Sequence, residues 1–572
     1  MKPHLPLLLL ALGAAGAQPA LRAAGLSPQP GAAPRPMTRP LPGAKPPLLA
    51  PPRAAEATRL SQPQSPTRQP LPSAAPGRTL AQATTPKPAT PQVPVQGQPP
   101  APSPAQARPN GTGPAAPPQP PQTVLRRQSV APLPGGLDRV PMVNDNNPEL
   151  IVGPGILLSG FDPSRGWNGT PLPRAAAHLN SPLNGAFELF SHHVYAGKPE
   201  SLDSTLWLAV VAAPRGDRPV RLRLRAGSTA LSQSVDGQDP AAPFLPLPTL
   251  MPQGVTPIWS GPGSRVATEL LRRERSPLLP SEWVLPPGQL STLLVLPLPV
   301  RGLDPLLNGR NLQLRLDSDA AVDIATLAAF GDTQQPPPAA VWAQLLQGEL
   351  SPKEHTPSPK GSPGPMIYSR VSGIEQGSAW RGRLTDPGQS SLAMSRAPIS
   401  WPIASLERGT FGTGQVQTPP LSTFYPGSAW AAHGSYGVEY DLSLPLRNDT
   451  NAPLTLQLAL ESPLKSDQAL GGLRFNTVPG KAVLFRGTVE VSGLDGSAGR
   501  PLGRQGSHLV LRAGQMGPAL GTVTLAPGQQ RQLQVRLIYP ADATPPQVLS
   551  LLPVSAAAEP VKQSQSTPSA AP

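Results

Sequence analysis

Between positions 438 and 460 the chain repeats one pattern twice. Val438, Tyr440, Leu442, Leu444 and Leu446 alternate with polar or turn residues, and Leu454, Leu456, Leu458 and Leu460 do so again. Successive side chains of a strand point to opposite faces, so each run buries one face and wets the other. Residues 448–453, from Asn448 through Pro453, carry turn chemistry. The stretch predicts two strands of a half-buried antiparallel sheet joined by that turn. The same reading predicts strands at 187–195, 205–212, 220–225, 293–300, 367–371, 483–491 and 508–511. Only 265–275 (Val266, Leu270, Leu271) and 341–350 (Trp342, Leu345, Leu346) have helical spacing. The fold class is therefore all-β: two β-sandwich (immunoglobulin-like) modules with few short helices, preceded by a long disordered Pro-rich tract.

An internal repeat supports two modules. Pro287-Gly288-Gln289 leads into the strand at 293–300, and Pro527-Gly528-Gln529 leads into alternating Leu533, Val535, Leu537 and Tyr539. Upstream of each lies a strand pair across a polar, Pro-containing turn, 206–211 with 220–224 and then 438–446 with 454–460. Ala177-His178 and Ala432-His433 precede the two pairs.

Proline takes 86 of 572 positions, about 15% where roughly 5% is usual. Cysteine is absent. That excludes disulfides, thiolate metal sites, a Cys nucleophile and an acylated lipoprotein anchor. Lys2, the apolar run 5–12 and Ala15-Gly16-Ala17 predict a cleaved secretory signal. No segment has the ~20 apolar residues of a membrane span. From 18 to 131 the chain is rich in Pro, Ala, Gln, Ser and Thr, without apolar periodicity, and is expected to be disordered. This tract holds twelve basic residues, from Arg22 to Arg127, against the single acid Glu56. Twelve bases less one acid make this tract +11 of the chain's net +14. Its dispersed charges and lack of aromatic stacking partners argue against nucleic acid. They suit either a plain soluble spacer kept extended by its charges or a tract with loose attraction to anionic cell-wall or surface polysaccharide. The expected organisation is a signal peptide at 1–17, a tether at 18–131, sandwich modules at 132–335 and 367–555, a Pro-rich linker with one short helix at 336–366, and a disordered tail at 556–572.

Several segments carry a resemblance. They are Leu-Pro-Gly-Gly-Leu-Asp-Arg-Val-Pro at 133–141, Gly-Ile-Leu-Leu-Ser at 155–159, Ala-His-Leu-Asn at 177–180 and Gly-Pro-Gly-Ser-Arg at 261–265. Arg-Gly-Thr-Phe-Gly-Thr-Gly-Gln at 408–415, Gly-Gly-Leu-Arg-Phe at 471–475, Phe-Arg-Gly-Thr-Val at 485–489 and Asp-Ala-Thr-Pro-Pro-Gln at 542–547 continue it. In these the body resembles a family of exported cyanobacterial proteins classed as domain of unknown function 3370. The resemblance implies an exported location in a Gram-negative envelope and brings no catalytic residues.

The residues offer little convergent chemistry. No catalytic residue, cofactor or metal ligand is expected; the surface candidates are His178, His192, Arg221, Arg223 and Arg225. His192 and His193 are neighbours on a strand and face opposite sides, so they do not readily share a metal. Arg221, Arg223 and Arg225 form a basic stripe opposite Val220, Leu222 and Leu224. Asp145, Asn146, Asn147 and Glu149 form an oxygen-rich loop without the spacing of an EF-hand, and read as a capped turn. His433-Gly434-Ser435-Tyr436-Gly437 approaches a nucleophile elbow, but a strand follows where that elbow needs a helix. An exported envelope protein with a structural or binding role is the leading expectation. A carbohydrate-binding module would present Trp207, Trp259, Trp380, Trp401 and Trp430 as an exposed row. A glycan hydrolase would need two carboxylates ~5–10 Å apart in a cleft.

Overall fold

The 26-residue strand Leu307–Asp332 organises the first half of the fold. From Leu307 to Ser318 it pairs with Leu183–Ala196 on one side, and from Arg310 to Ser318 with Val220–Leu231 on the other. The register breaks between Ser318 and Val322, across a run of Asp, Ala and Ala. From there to Asp332 the strand pairs with Ser204–Pro214, and its Ala325–Ala328 stretch with Gly155–Ser159. A bulge lets a strand bend out of one layer and continue in the next. Both layers meet in one buried cluster that includes Phe187, Leu189, Leu222 and Leu314 from one side and Val210, Ala212, Leu296 and Ile324 from the other. Trp207, Ala209 and Val211, on the back of Ser204–Pro214, are covered with Trp342 of the helix Ala339–Leu345. Burial on both faces explains why this strand reads as a continuous apolar run. The computed structural model describes residues 122–197, 204–235, 237, 239–254, 256–332, 334–363, 366–497 and 499–554. The expected signal at 1–17, the tether as far as 121 and the tail at 556–572 lie outside them.

The second sandwich is built on the stretch that opened the sequence reading, with one correction. Glu439–Arg447 and Leu454–Glu461 are both strands, but they do not pair with each other. The first lies between Ala379–Arg383 and Gln530–Ile538; the second lies between Gln547–Pro553 and Ala519–Leu525 in another sheet. Leu442, Leu444 and Leu446 meet Leu456, Leu458 and Leu460 across the shared core. Each such buried leucine contributes about 2 kcal/mol. The turn between them is a corner held by the buried Asn448 side chain, which donates to Ala452 O (2.8 Å) and Leu525 O (2.9 Å) and accepts from Thr450 N (2.9 Å). The pair predicted at 206–211 and 220–224 is corrected in the same way. Ser204–Pro214 pairs with Ser291–Leu298 and the far half of the long strand, whereas Val220–Leu231 pairs with its near half.

The repeat survives this correction. In each half the strand after Pro-Gly-Gln pairs antiparallel with the first strand of the corner: Ser291–Leu298 with Ser204–Pro214, and Gln530–Ile538 with Glu439–Arg447. The two turn glycines, Gly288 and Gly528, take nearly equal left-handed φ angles of 71° and 76°. That conformation is open to glycine and strained for most other residues.

Strand pairing crosses the expected module boundaries. Ser372–Gln376 and Leu421–Phe424 extend the sheet of the first half beside Pro141–Asp145. In the other direction, Gly136–Leu137 pairs with Ala379–Arg383, and Leu250–Pro252 with Gln505–Arg512. All described residues belong to one compact unit. The helix Pro262–Leu271 packs Val266, Ala267, Leu270 and Leu271 against Ala230 of the first half and Ile538 of the second. Residues 367–371, read as a strand, are irregular, and the strand begins at Ser372. The tether reading stops short of its expected end. Thr123–Arg127 pairs with Gly472–Asn476, and Ser129–Val130 with Ile399–Ser400. Arg126 is ion-paired to the fully buried Glu461, so this arginine is structural.

Candidate functional site

The candidate residues from the sequence do not converge. His178 is buried, and its Nδ1 lies 2.7 Å from Ser159 Oγ. Ser159 N donates to Tyr425 Oη (2.8 Å), which donates to Ala177 O (3.1 Å). Burial pushes the His178 imidazole down to about 4. His192 lies elsewhere, 4.0 Å from Glu149 and within electrostatic reach of His433. Burial pushes His192 down to about 4 and His433 to about 3, the latter also opposed by the charge of Arg370. His433 packs its ring on Tyr436 at 4.9 Å. The two sequence-equivalent histidines, His178 and His433, thus have different surroundings.

Arg221, Arg223 and Arg225 are exposed, as expected for one strand face. Flanking strands meet them with acids: Arg221 Nη1 is 2.7 Å and Arg223 Nε 3.9 Å from Glu282, and Arg225 Nη2 is 3.3 Å from Asp317. Cross-strand opposite charges of this kind contribute a few tenths of a kcal/mol each.

The oxygen-rich loop turns inward. Asp145, Asn146 and Asn147 are all buried. Asn147 donates to Arg370 O (3.0 Å) and accepts from Glu354 N (3.0 Å). His193, fully buried, sets Nδ1 2.8 Å from Pro148 O and Nε2 3.0 Å from Asp145 Oδ2. Sequence reasoning missed Lys353, which lay in the presumed linker. Its ammonium donates to Asn147 O (2.7 Å), to Leu157 O and to Ser372 Oγ (3.4 Å), and sits 5.3 Å from the Tyr425 ring centre. Burial pulls it down to about 8. The lone lysine between Ser351 and Glu354 gave no local signal of this, since its backbone acceptors Asn147 and Leu157 lie 206 and 196 residues away in sequence.

Two further carboxyls were missed. Glu375, buried on the first sheet, accepts from Asn144 Nδ2 (2.8 Å), and burial pushes it up to about 8. Asp542 accepts from Ser264 N (2.7 Å) at the start of the helix Pro262–Leu271, and burial pushes it up to about 7 against those backbone donors. Gly263 makes this approach possible, since a Cβ there would lie 2.9 Å from Ala541 N.

Among the described residues, the largest charged assembly joins the sandwiches. Arg315 Nε is 3.1 Å from Glu188 and its Nη2 is 2.9 Å from Glu439. Arg536 follows, 2.7 Å from Glu439 and 3.4 Å from Glu490. Gln313 Nε2 donates to Glu188 (3.0 Å) and to Gly437 O (2.8 Å). Burial raises Glu188, whereas at Glu439 the burial penalty is outweighed by Arg315 and Arg536, which hold it low. Guanidinium groups fill the space between these carboxylates, where a glycosidase would place its sugar.

The tryptophans do not form a row. Trp207, Trp380 and Trp401 are buried in cores, and Trp259 and Trp430 are half-buried under Arg265 and Lys360. No helix among the described residues is long and apolar enough to cross a membrane. Among curated proteins no match to the chain is found. The family model described as Protein of unknown function (DUF3370) matches residues 128–553, and the chain belongs to that family.

Proposed function

We propose that this is an exported cell-envelope protein with a structural or binding role and no catalytic activity. The observation that supports it best is the use made of the body's ionisable groups. Glu188, Arg315, Glu439 and Arg536 are engaged with one another between the sandwiches. Lys353 and His193 are likewise engaged with neighbouring oxygens inside the first sandwich. Groups satisfied by protein neighbours in this way fix a rigid body. Export rests on the signal features of residues 1–17, with the basic tract 18–121 as a leash that loosely contacts anionic polysaccharide. The Trp-row form of glycan binding loses its premise, because those rings face cores or cations.

Cell fractionation with N-terminal sequencing tests this. The expected product lies in the periplasmic or surface fraction and begins at Gln18. Cytoplasmic protein that retains Met1 overturns the export reading. Release of soluble sugar from purified wall polymer overturns the non-catalytic one.

A further inference from the structure

The outer face of the second sandwich carries a shallow, widely open groove of about 340 Å³, lined by Arg381, Gly382, Arg383, Asp441, Ser443 and Gln534. Its shape follows from pairing. Ala379–Arg383 lies parallel to Glu439–Arg447, which lies antiparallel to Gln530–Ile538. Register places Arg383, Ser443 and Gln534 in one row across the three strands, and Arg381, Asp441 and Arg536 in the next, with Arg536 ion-paired to Glu439 and outside the groove lining. Side chains of paired residues share a face. The short Ser443 is therefore a floor between two taller walls, and the trough lies open to solvent.

The walls are donors in planar arrays. Arg381 Nη1 lies 3.4 Å from Asp441 Oδ2, and Gln534 holds the other Asp441 oxygen. Arg383 donates to a backbone carbonyl, Ser390 O (2.9 Å), and forms no ion pair among the described residues. The groove thus sets two guanidinium groups against one carboxylate. This differs from the Arg221–Arg225 stripe, where Glu282 and Asp317 meet the three cations. Guanidinium pairs with an oxyanion through two parallel N–H donors, and a Gln amide and a Ser hydroxyl suit sugar hydroxyls.

We propose that this groove binds an acidic polysaccharide, with Arg383 and Arg381 on its carboxylate or sulfate groups and Ser443 and Gln534 on its hydroxyls. The proposal rests on the envelope reading and deepens it: the folded body holds the polymer specifically, and the leader adds loose attraction.

The full-length mature protein is tested by affinity electrophoresis against polygalacturonate, dextran sulfate and neutral dextran at about 0.15 M salt, where long-range attraction is screened. Three variants accompany it: R381Q/R383Q, Ser443→Trp, which fills the trough without changing charge, and a leader with its ten basic residues from Arg22 to Arg108 replaced by Gln. All three changes are solvent-facing or in the leader, and equal melting temperatures check folding. The proposal expects both groove variants to weaken binding about tenfold or more, the worth of one or two charge-assisted hydrogen bonds. It expects the leader variant to keep most of the affinity. Preference for polygalacturonate assigns the oxyanion as carboxylate, and preference for dextran sulfate assigns it as sulfate. Equal retention of neutral dextran, no retention of either acidic polymer, or loss confined to the leader variant overturns the proposal. Fractionation is independent of these outcomes, so a failed groove leaves the exported location standing.

Discussion

The guanidinium of Arg315, rooted in the first sandwich, lies 2.9 Å from Glu439 of the second and 3.1 Å from Glu188 of its own sheet. A half-buried cation shared between two carboxylates from different sandwiches makes their docking a matter of charge as well as of shape. Removing the cation leaves Glu188 fully enclosed beside another acid, a costly arrangement in a low-dielectric setting.

Arg315→Leu is therefore expected to destabilise the protein by about 3–5 kcal/mol, the usual cost of breaking a buried ion pair from one side. Adding Glu188→Leu should restore much of this. Urea unfolding of the two variants checks it, and additive losses in the double variant would contradict the coupling.

Glu375 is pushed up to about 8 by burial. A group raised in the folded state contributes fully below its unfolded value of about 4.5, and the contribution is lost as pH rises through the folded value. Glu375→Gln keeps the acceptor for Asn144 and removes the ionisation. It should stabilise the protein by about 2–3 kcal/mol at pH 7.5 and leave stability at pH 4 unchanged. Chemical denaturation at the two pH values reads this directly.

Burial lowers His178, His192 and His508 to about 4 and His433 to about 3. Groups lowered in this way are protonated first in the unfolded chain, so their contribution is present above about 6.5 and is lost as pH falls through the folded values. Glu375 and Asp542, raised to about 8 and about 7, act in the opposite sense. Glu188, Asp323, Glu354 and Glu490, also raised by burial, act with those two acids, so a single-histidine variant is needed to isolate the histidine contribution. His433→Phe should shallow the acid limb. Thermal melts of the wild type and this variant from pH 4 to 8 check it, and an unchanged acid limb would contradict it.

Arg126→Gln should cost about 3 kcal/mol, because Glu461 is left buried without its cation. The adjacent, exposed Arg127→Gln should change stability by less than about 0.5 kcal/mol. Equal effects in full-length protein would mean that Arg126 belongs to the leader after all.

The sequence reading failed where local pattern and pairing part company. Leucines at every second position identified Glu439–Arg447 and Leu454–Glu461 as strands, yet alternation says nothing about whether the next strand lies beside or across. Asn448, with donors aimed at Ala452 and Leu525, turns the chain over the edge. The central strand Leu307–Asp332 was not recognised. Its second half is rich in alanine, and Asp317, Ser318 and Asp319 interrupt the pattern just where the strand changes layer. Lys353, Glu375 and Asp542 were invisible for a different reason. Their environments are built by residues far away in sequence, and no neighbour marks an isolated ionisable side chain as buried.

The sequence by itself determined the class of fold and the repeated plan, because side-chain periodicity and Pro-Gly-Gln turns act over a few residues and are written locally. It also settled where the charge lies, in the leader rather than the body. Only the tertiary structure decided which strands pair, that the two halves exchange strands and lock through Glu188, Arg315 and Glu439, and which polar groups are enclosed. Those choices are made by long-range burial and electrostatics, whose energies depend on partners that the linear order does not reveal.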